Sequence, residues 1–150
     1  MTTTEAASAA QPVRAALVGI QHVGLTVTDV EASAAWYQRV LGLRRQFDEP
    51  HHRSDKGGYS IVLGTDDMAF NLGLDHHPGN GGEGFDPVRT GLDHLCLQVA
   101  SLDRLHAWTA RLDAEGVAHS GVYPMEGMPI SLLTFRDPDG IQLELIAFHS

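Results

Sequence analysis

The chain has 150 residues, and its ten Lys and Arg against nineteen Asp and Glu leave a formal net charge of −9. That balance, with no Lys/Arg cluster, works against a nucleic-acid partner because phosphates would be repelled. No apolar run approaches the roughly 20 residues of a membrane-crossing helix. The single cysteine, Cys96, excludes an internal disulfide and suits a reducing compartment. Residues 1–18 lack the basic start and apolar segment of a secretory signal. They read as a small-residue tail, and a cytoplasmic location is expected.

Ile20–Val27 alternates, with Val23, Leu25 and Val27 on one side and His22, Gly24 and Thr26 on the other, the pattern of a half-buried strand. Asp29 then offers an oxygen to cap a helix whose apolar positions are Val30, Ala34, Tyr37 and Leu41, and Gly42 ends it. Leu43–Asp48 reads as a second strand and Glu49–Gly58 as a polar loop. Tyr59–Leu63 and Met68–Leu74 read as two more strands. Residues 75–90, with four glycines and two prolines, form a linker or a loop over a cavity. Leu92–Val99 is a strand, and Ser101 caps a helix carrying Leu102, Leu105, Trp108 and Leu112, stopped by Gly116. Val117–Val122 is a short strand and Tyr123–Pro129 a loop. Ser131–Arg136 and Ile141–Phe148 make a hairpin across the Asp137-Pro138-Asp139-Gly140 turn.

The order β-α-β-β-β is thus written twice, and the residues repeat with it. Gly19–Arg39 matches Gly91–Arg111 without a gap, with seven identities, among them His22/His94, Trp36/Trp108 and Arg39/Arg111. Such self-similarity marks one supersecondary unit used twice. The domain is expected over 19–149, as module one (19–75), a linker (76–90) and module two (91–149).

Strand parity sorts the side chains. The aliphatic faces (Val23, Leu25, Val27; Leu95, Leu97, Val99) should press on the helices, leaving His22, Gly24, Thr26, His94, Cys96 and Gln98 on the opposite, polar face. In the last strand, Glu144 stands between Leu143 and Leu145 and points away from the helices with Gln142 and Ile146. Two imidazoles and one carboxylate on cavity-side faces point to a divalent metal, because a cation removes the several kcal/mol that a buried lone carboxylate costs. Aligning Met68–Leu74 with Ile141–Ala147 sets Asn71 opposite Glu144; a slip of one or two residues sets Leu72 or Gly73 there, and none is a carboxylate.

At these residues, HVGLTVTDVEASAAWYQRVLGL from His22, GLDHLCLQV around His94 and FRDPDGIQLELI around Glu144, the chain resembles the vicinal oxygen chelate superfamily, the glyoxalase/bleomycin-resistance/dioxygenase fold. The resemblance implies an α+β fold of two tandem βαβββ modules, their mixed sheets curled around a metal or ligand cavity. It implies metal ligands at His22, His94 and Glu144, with Asn71 at the fourth position, where glyoxalase I-like members carry Glu. An amide is a poor ligand and no base near neutral pH. A dioxygenase-like site of two His and one carboxylate is therefore favoured over a glyoxalase I-type isomerase, with Fe(II), Mn(II), Zn(II) or Ni(II) as the metal.

The expected function is a divalent-metal-dependent enzyme acting on a small oxygen-bearing substrate, aromatic compounds included. The alternative is a metal-free protein that sequesters a drug or natural product, as bleomycin-resistance members do. Thr26, Asn71, Cys96, Gln98, Met125, Met128 and Gln142 are candidate substrate contacts, and His51, His52 and Tyr59 candidate acid/base groups. The resemblance also allows modules to pair within a chain or to be exchanged in a homodimer. In an exchanged pair, His22 and Glu144 of one site come from different subunits.

Overall fold

A computed structural model describes residues 17, 19–50 and 57–149. The candidate acid/base residues His51 and His52 lie outside the described residues, as does nearly all of the expected N-terminal tail. The elements run β1 (Val23–Thr26), α1 (Val30–Leu41), β2 (Arg44–Pro50), β3 (Tyr59–Gly64), β4 (Asn71–His76), β5 (His94–Gln98), α2 (Leu102–Ala114), β6 (Tyr123–Pro124), β7 (Ile130–Arg136) and β8 (Gln142–Phe148).

Local chemistry sets the helix limits. The Asp29 side chain accepts from the Ala32 N–H at the start of α1, and Ser101 does the same for Arg104 at the start of α2. Gly42 closes α1 in the left-handed region at φ 72°, where its N–H reaches the Gln38 carbonyl and a side chain would be strained. The strand expected over residues 117–122 is reduced to a single bridge from His119 to Phe135. Ladder pairing falls instead on Tyr123 and Pro124, inside the expected loop. The glycine-containing run Gly116–Gly121 needs positive φ at both of its glycines, which breaks a continuous ladder there.

The strands form two four-stranded mixed sheets, ordered β1-β4-β3-β2 and β5-β8-β7-β6. In each, the first and last strands of a module pair in parallel and the rest pair antiparallel. The expectation of sheets curled around a cavity is corrected here: both sheets are open, with β1 and β2 at the edges of one and β5 and β6 at the edges of the other, and neither is closed or strongly curled. Four strands of this length make an open ribbon, and closing it would require edge strands to meet.

Both helices and one face of each sheet share a single apolar cluster. Leu25, Ile61, Leu63, Leu72 and Leu74 of the first sheet meet Leu133, Phe135, Leu143 and Leu145 of the second, with Tyr37 and Val40 of α1 and Leu105 and Leu112 of α2 between. By alternation, the faces that carry His22 and Glu144 are turned away from this core. Polar contacts tie the halves together as well. Asp137 accepts a 2.9 Å hydrogen bond from the buried Tyr37 hydroxyl, and Asp139 accepts from Thr28 N (3.1 Å) and Thr28 Oγ1 (2.5 Å). The repeated arginines explain themselves here. Arg111 donates to the Val40 and Arg39 carbonyls at the C-terminus of α1 (2.6 and 2.7 Å), and Arg39 pairs with Glu115 just beyond α2 (2.8 Å).

Candidate functional site

The second sheet brings two metal-type donors, His94 and Glu144, side by side. His94 opens β5 and pairs with Gln142, while Cys96 pairs with Glu144 two residues along. His94 Nδ1 lies 2.7 Å from Asp93 Oδ1, and His94 Nε2 lies 3.6 Å from Glu144 Oε2. The other Glu144 oxygen accepts 2.9 Å from Gln142 Nε2. A proton on Nδ1 directed at Asp93 leaves Nε2 with its lone pair facing a carboxylate. Two lone-pair-bearing atoms at that distance repel unless a proton or a cation lies between them. A cation with bonds of about 2.0–2.2 Å holds its ligands roughly 3–3.5 Å apart, close to this spacing. Asp93 and Gln142 orient the two donors in the way outer partners orient metal ligands.

The hydrogen bond to Asp93 raises the His94 imidazole above its ordinary value, against partial desolvation and with help from the Glu144 charge. Burial pushes the Cys96 thiol up, and the Glu144 charge adds to this, so the thiol stays protonated at neutral pH.

The third expected donor stands on the other sheet. His22 precedes β1 and contacts Gln21 through Nδ1. It lines a cavity of about 180 Å³ with Gln21, Gly24, Phe47, Glu49, Ser60, Val62, Met68, Asn71, Gly73 and Asp75. Among the described residues, no group of three or more His, Cys, Asp or Glu side chains is close enough to hold a metal ion. One chain thus brings His94 and Glu144 together and leaves His22 apart.

The strand register fixes which residues of the two modules correspond. Gly24 pairs with Gly73 as Cys96 pairs with Glu144, so Gly73 takes the Glu144 position and Asn71 that of Gln142. This is the two-residue slip that the sequence left open, and the fourth ligand position holds no side chain at all. Of the other candidate contacts, Thr26 sits beside Asp75 across the β1–β4 ladder. Gln98 borders a separate depression with Leu97, Val99 and Trp108. Tyr59 packs its ring against His76 at 5.2 Å between centroids, and Met125 and Met128 are exposed in the turn after β6. Neither that tyrosine nor those methionines line the His22 cavity.

Sequence reasoning passed over Gln21 and Asp93. The signal was available, because each immediately precedes a repeated histidine. Glu49, Ser60 and Asp75 were also missed: the first two lay in a presumed loop and an aliphatic strand, and the third at a presumed linker boundary.

A domain model for the Glyoxalase/Bleomycin resistance protein/Dioxygenase superfamily matches residues 19–145, and the chain belongs to that superfamily. Among individual relatives, it is 31% identical over 137 residues to an ethylmalonyl-CoA/methylmalonyl-CoA epimerase of Cereibacter sphaeroides, covering 84% of this chain and 95% of the relative. It is 28% identical over 137 residues to "Putative ring-cleaving dioxygenase MhqA" of Bacillus subtilis, covering 86% of this chain but only 40% of that longer protein. A solved glyoxylase/bleomycin resistance protein/dioxygenase domain from Frankia sp. EAN1pec superposes with a TM-score of 0.77 at 30% identity, covering 89% of this chain and 100% of that one.

Proposed function

We propose that the protein is a divalent-metal-dependent enzyme acting on a small oxygen-bearing substrate, with His94 and Glu144 of one chain and His22 of a second copy as the metal ligands. The observation that carries this reading is the His94–Glu144 pair, two donors 3.6 Å apart with Asp93 and Gln142 fixing their outer sides. The placement of His22 on the polar face of the other sheet supports a site completed between subunits. Two imidazoles and one carboxylate with open positions suit Fe(II), Mn(II), Zn(II) or Ni(II). Bound there, the cation would supply Lewis-acid polarisation of a substrate oxygen.

Gly73 at the fourth position favours a dioxygenase-like set over a glyoxalase I-type isomerase, which needs a second carboxylate. Both classes named among the relatives, ring cleavage and acyl-CoA epimerisation, remain chemistry of those proteins until substrate assays assign one here. The competing reading is a metal-free binding protein, and metal analysis separates the two.

Protein purified without chelator or affinity histidines is expected to hold close to one metal per chain. Glu144→Gln should lose most of it, and Asn71→Ala should keep it. Equal metal retention in both variants would overturn the ligand assignment, and wild-type protein that stays metal-free after reconstitution would leave the binder standing. Mixing His22→Ala chains with Glu144→Gln chains tests the shared site. Each mixed dimer regains one intact ligand set, so metal binding should reappear on mixing.

A further inference from the structure

We infer that Arg136 selects substrates that carry a carboxylate beside the oxygens offered to the metal site, and that the cavity it lines receives that group. The inference deepens the proposed function and rests on it for where the reacting end of the substrate sits, at His94 and Glu144.

Strand pairing sets Arg136 next to that site. Arg136 pairs with Gln142 across the β7–β8 ladder, and Gln142 pairs with His94 across the β8–β5 ladder, so the three form one row on the polar side of the second sheet. Thr134, Glu144 and Cys96 form the next row. Glu144 is thus the diagonal neighbour of Arg136, about 7–8 Å away between Cα atoms, a span that a long side chain can bridge. The two nonetheless make no ion pair, which leaves room between them for a ligand group. A cavity of about 670 Å³ opens here, at the sheet edge where a single bridge from His119 to Phe135 stands in for a ladder. Gln142 joins that cavity to the donors: it lines the one, and its Nε2 donates 2.9 Å to Glu144.

The charges around the cavity favour an anion. Its lining carboxylates among the described residues are Glu115 and Asp137, and both are engaged. Glu115 pairs with Arg39 at 2.8 Å, and Asp137 accepts from the Tyr37 hydroxyl and from the Asp139 and Ile141 N–H groups. Arg136 is different. Its Nη1 donates 2.7 Å to the Gly140 carbonyl, which steadies the guanidinium, and among the described residues its Nε and Nη2 meet no acceptor. Those two atoms form one edge of the group, the edge with which Arg45 holds both oxygens of Asp48. In a chain of nineteen acids and ten bases, an arginine without a carboxylate stands out; Arg39, Arg44, Arg45 and Arg89 each have one. A planar, singly charged carboxylate matches the open edge in shape and in charge.

3,4-Dihydroxybenzoate and 3,4-dihydroxybenzamide test this, because they share a ring and two hydroxyls and differ at one group of nearly equal size. Calorimetric titration of the full chain is run metal-loaded and metal-free. The metal should tighten both probes through their hydroxyls, and Arg136 should favour the benzoate at least about tenfold in either form. Arg136→Gln should bring that ratio close to one. Arg104→Gln, which removes the same charge from the exposed start of α2, should leave it unchanged. A thermal melt reads separately what the lost bond to Gly140 does to the fold.

No preference for the benzoate in the wild type, a ratio that Arg136→Gln leaves unmoved, an equal fall in Arg104→Gln, or no binding of either probe would each overturn the inference. Affinities that ignore the metal while the ratio holds would instead count against the metal-enzyme reading alone.

Discussion

Asp137 is a buried polar group at the joint between the two halves. It is 6% exposed, accepts from the Tyr37 hydroxyl at 2.9 Å, and accepts from the backbone N–H of Asp139 and Ile141 at 3.0 and 2.7 Å. Asp137→Ala strands all three donors. A buried donor left without a partner costs about 1–3 kcal/mol, and water entering the vacated space recovers part of this. Relief of the carboxylate's own desolvation recovers more, leaving a net loss of about 3 kcal/mol. Tyr37→Phe removes only one bond and should cost about 1–2 kcal/mol. Because the two residues share that bond, the double variant should lose about 1 kcal/mol less than the sum of the single losses. Urea denaturation followed by tryptophan fluorescence reads these differences, since Trp36 lies edge-on to Tyr37 at 5.0 Å. A loss below about 1 kcal/mol for Asp137→Ala, or strict additivity, would refute the reasoning.

Two further outcomes concern the fold. Burial pushes the Asp137 carboxyl above the usual carboxylate range, more than its hydrogen bonds from Ile141 and Tyr37 lower it. The fold therefore favours the protonated form. This contribution to stability is fully present below the ordinary carboxylate value and is lost as pH rises through the raised one. Asp137→Asn, which keeps the shape without the charge, should flatten the stability profile just above the ordinary carboxylate range; an unchanged profile would count against the assignment. Gly42→Ala places a side chain at φ 72° and should lower the urea midpoint by the equivalent of about 1 kcal/mol, whereas an unshifted midpoint would mean that the cap relaxes.

Much of the fold was legible because it rests on local rules. Asp29, Ser101 and Gly42 punctuate the helices where capping chemistry says they should, and Leu25, Leu72 and Leu143 face the core as alternation requires. The repeat alone marks His22 and His94 as equivalent. Three things were not legible, for physical reasons. The offset between Asn71 and Gly73 depends on ladder register, which cross-strand pairing decides and a single strand does not encode. The strand at Tyr123–Pro124 owes its place to pairing with Ser131 and Leu132, against the turn-forming look of its own residues. The openness of the sheets follows from how the two halves pack through their helices, and no local pattern reports that.

The grip of the Asp137–Gly140 turn on the first helix has a consequence for how the chain is made. Thr28 and Tyr37 find their acceptors 111 and 100 residues further along. At a synthesis rate of about 5–20 residues per second, the first helix emerges several seconds before those acceptors exist. Its apolar side is also waiting for Leu133, Phe135 and Leu145. The leading half must therefore stay unfinished on the ribosome until the hairpin of β7 and β8 arrives to complete it.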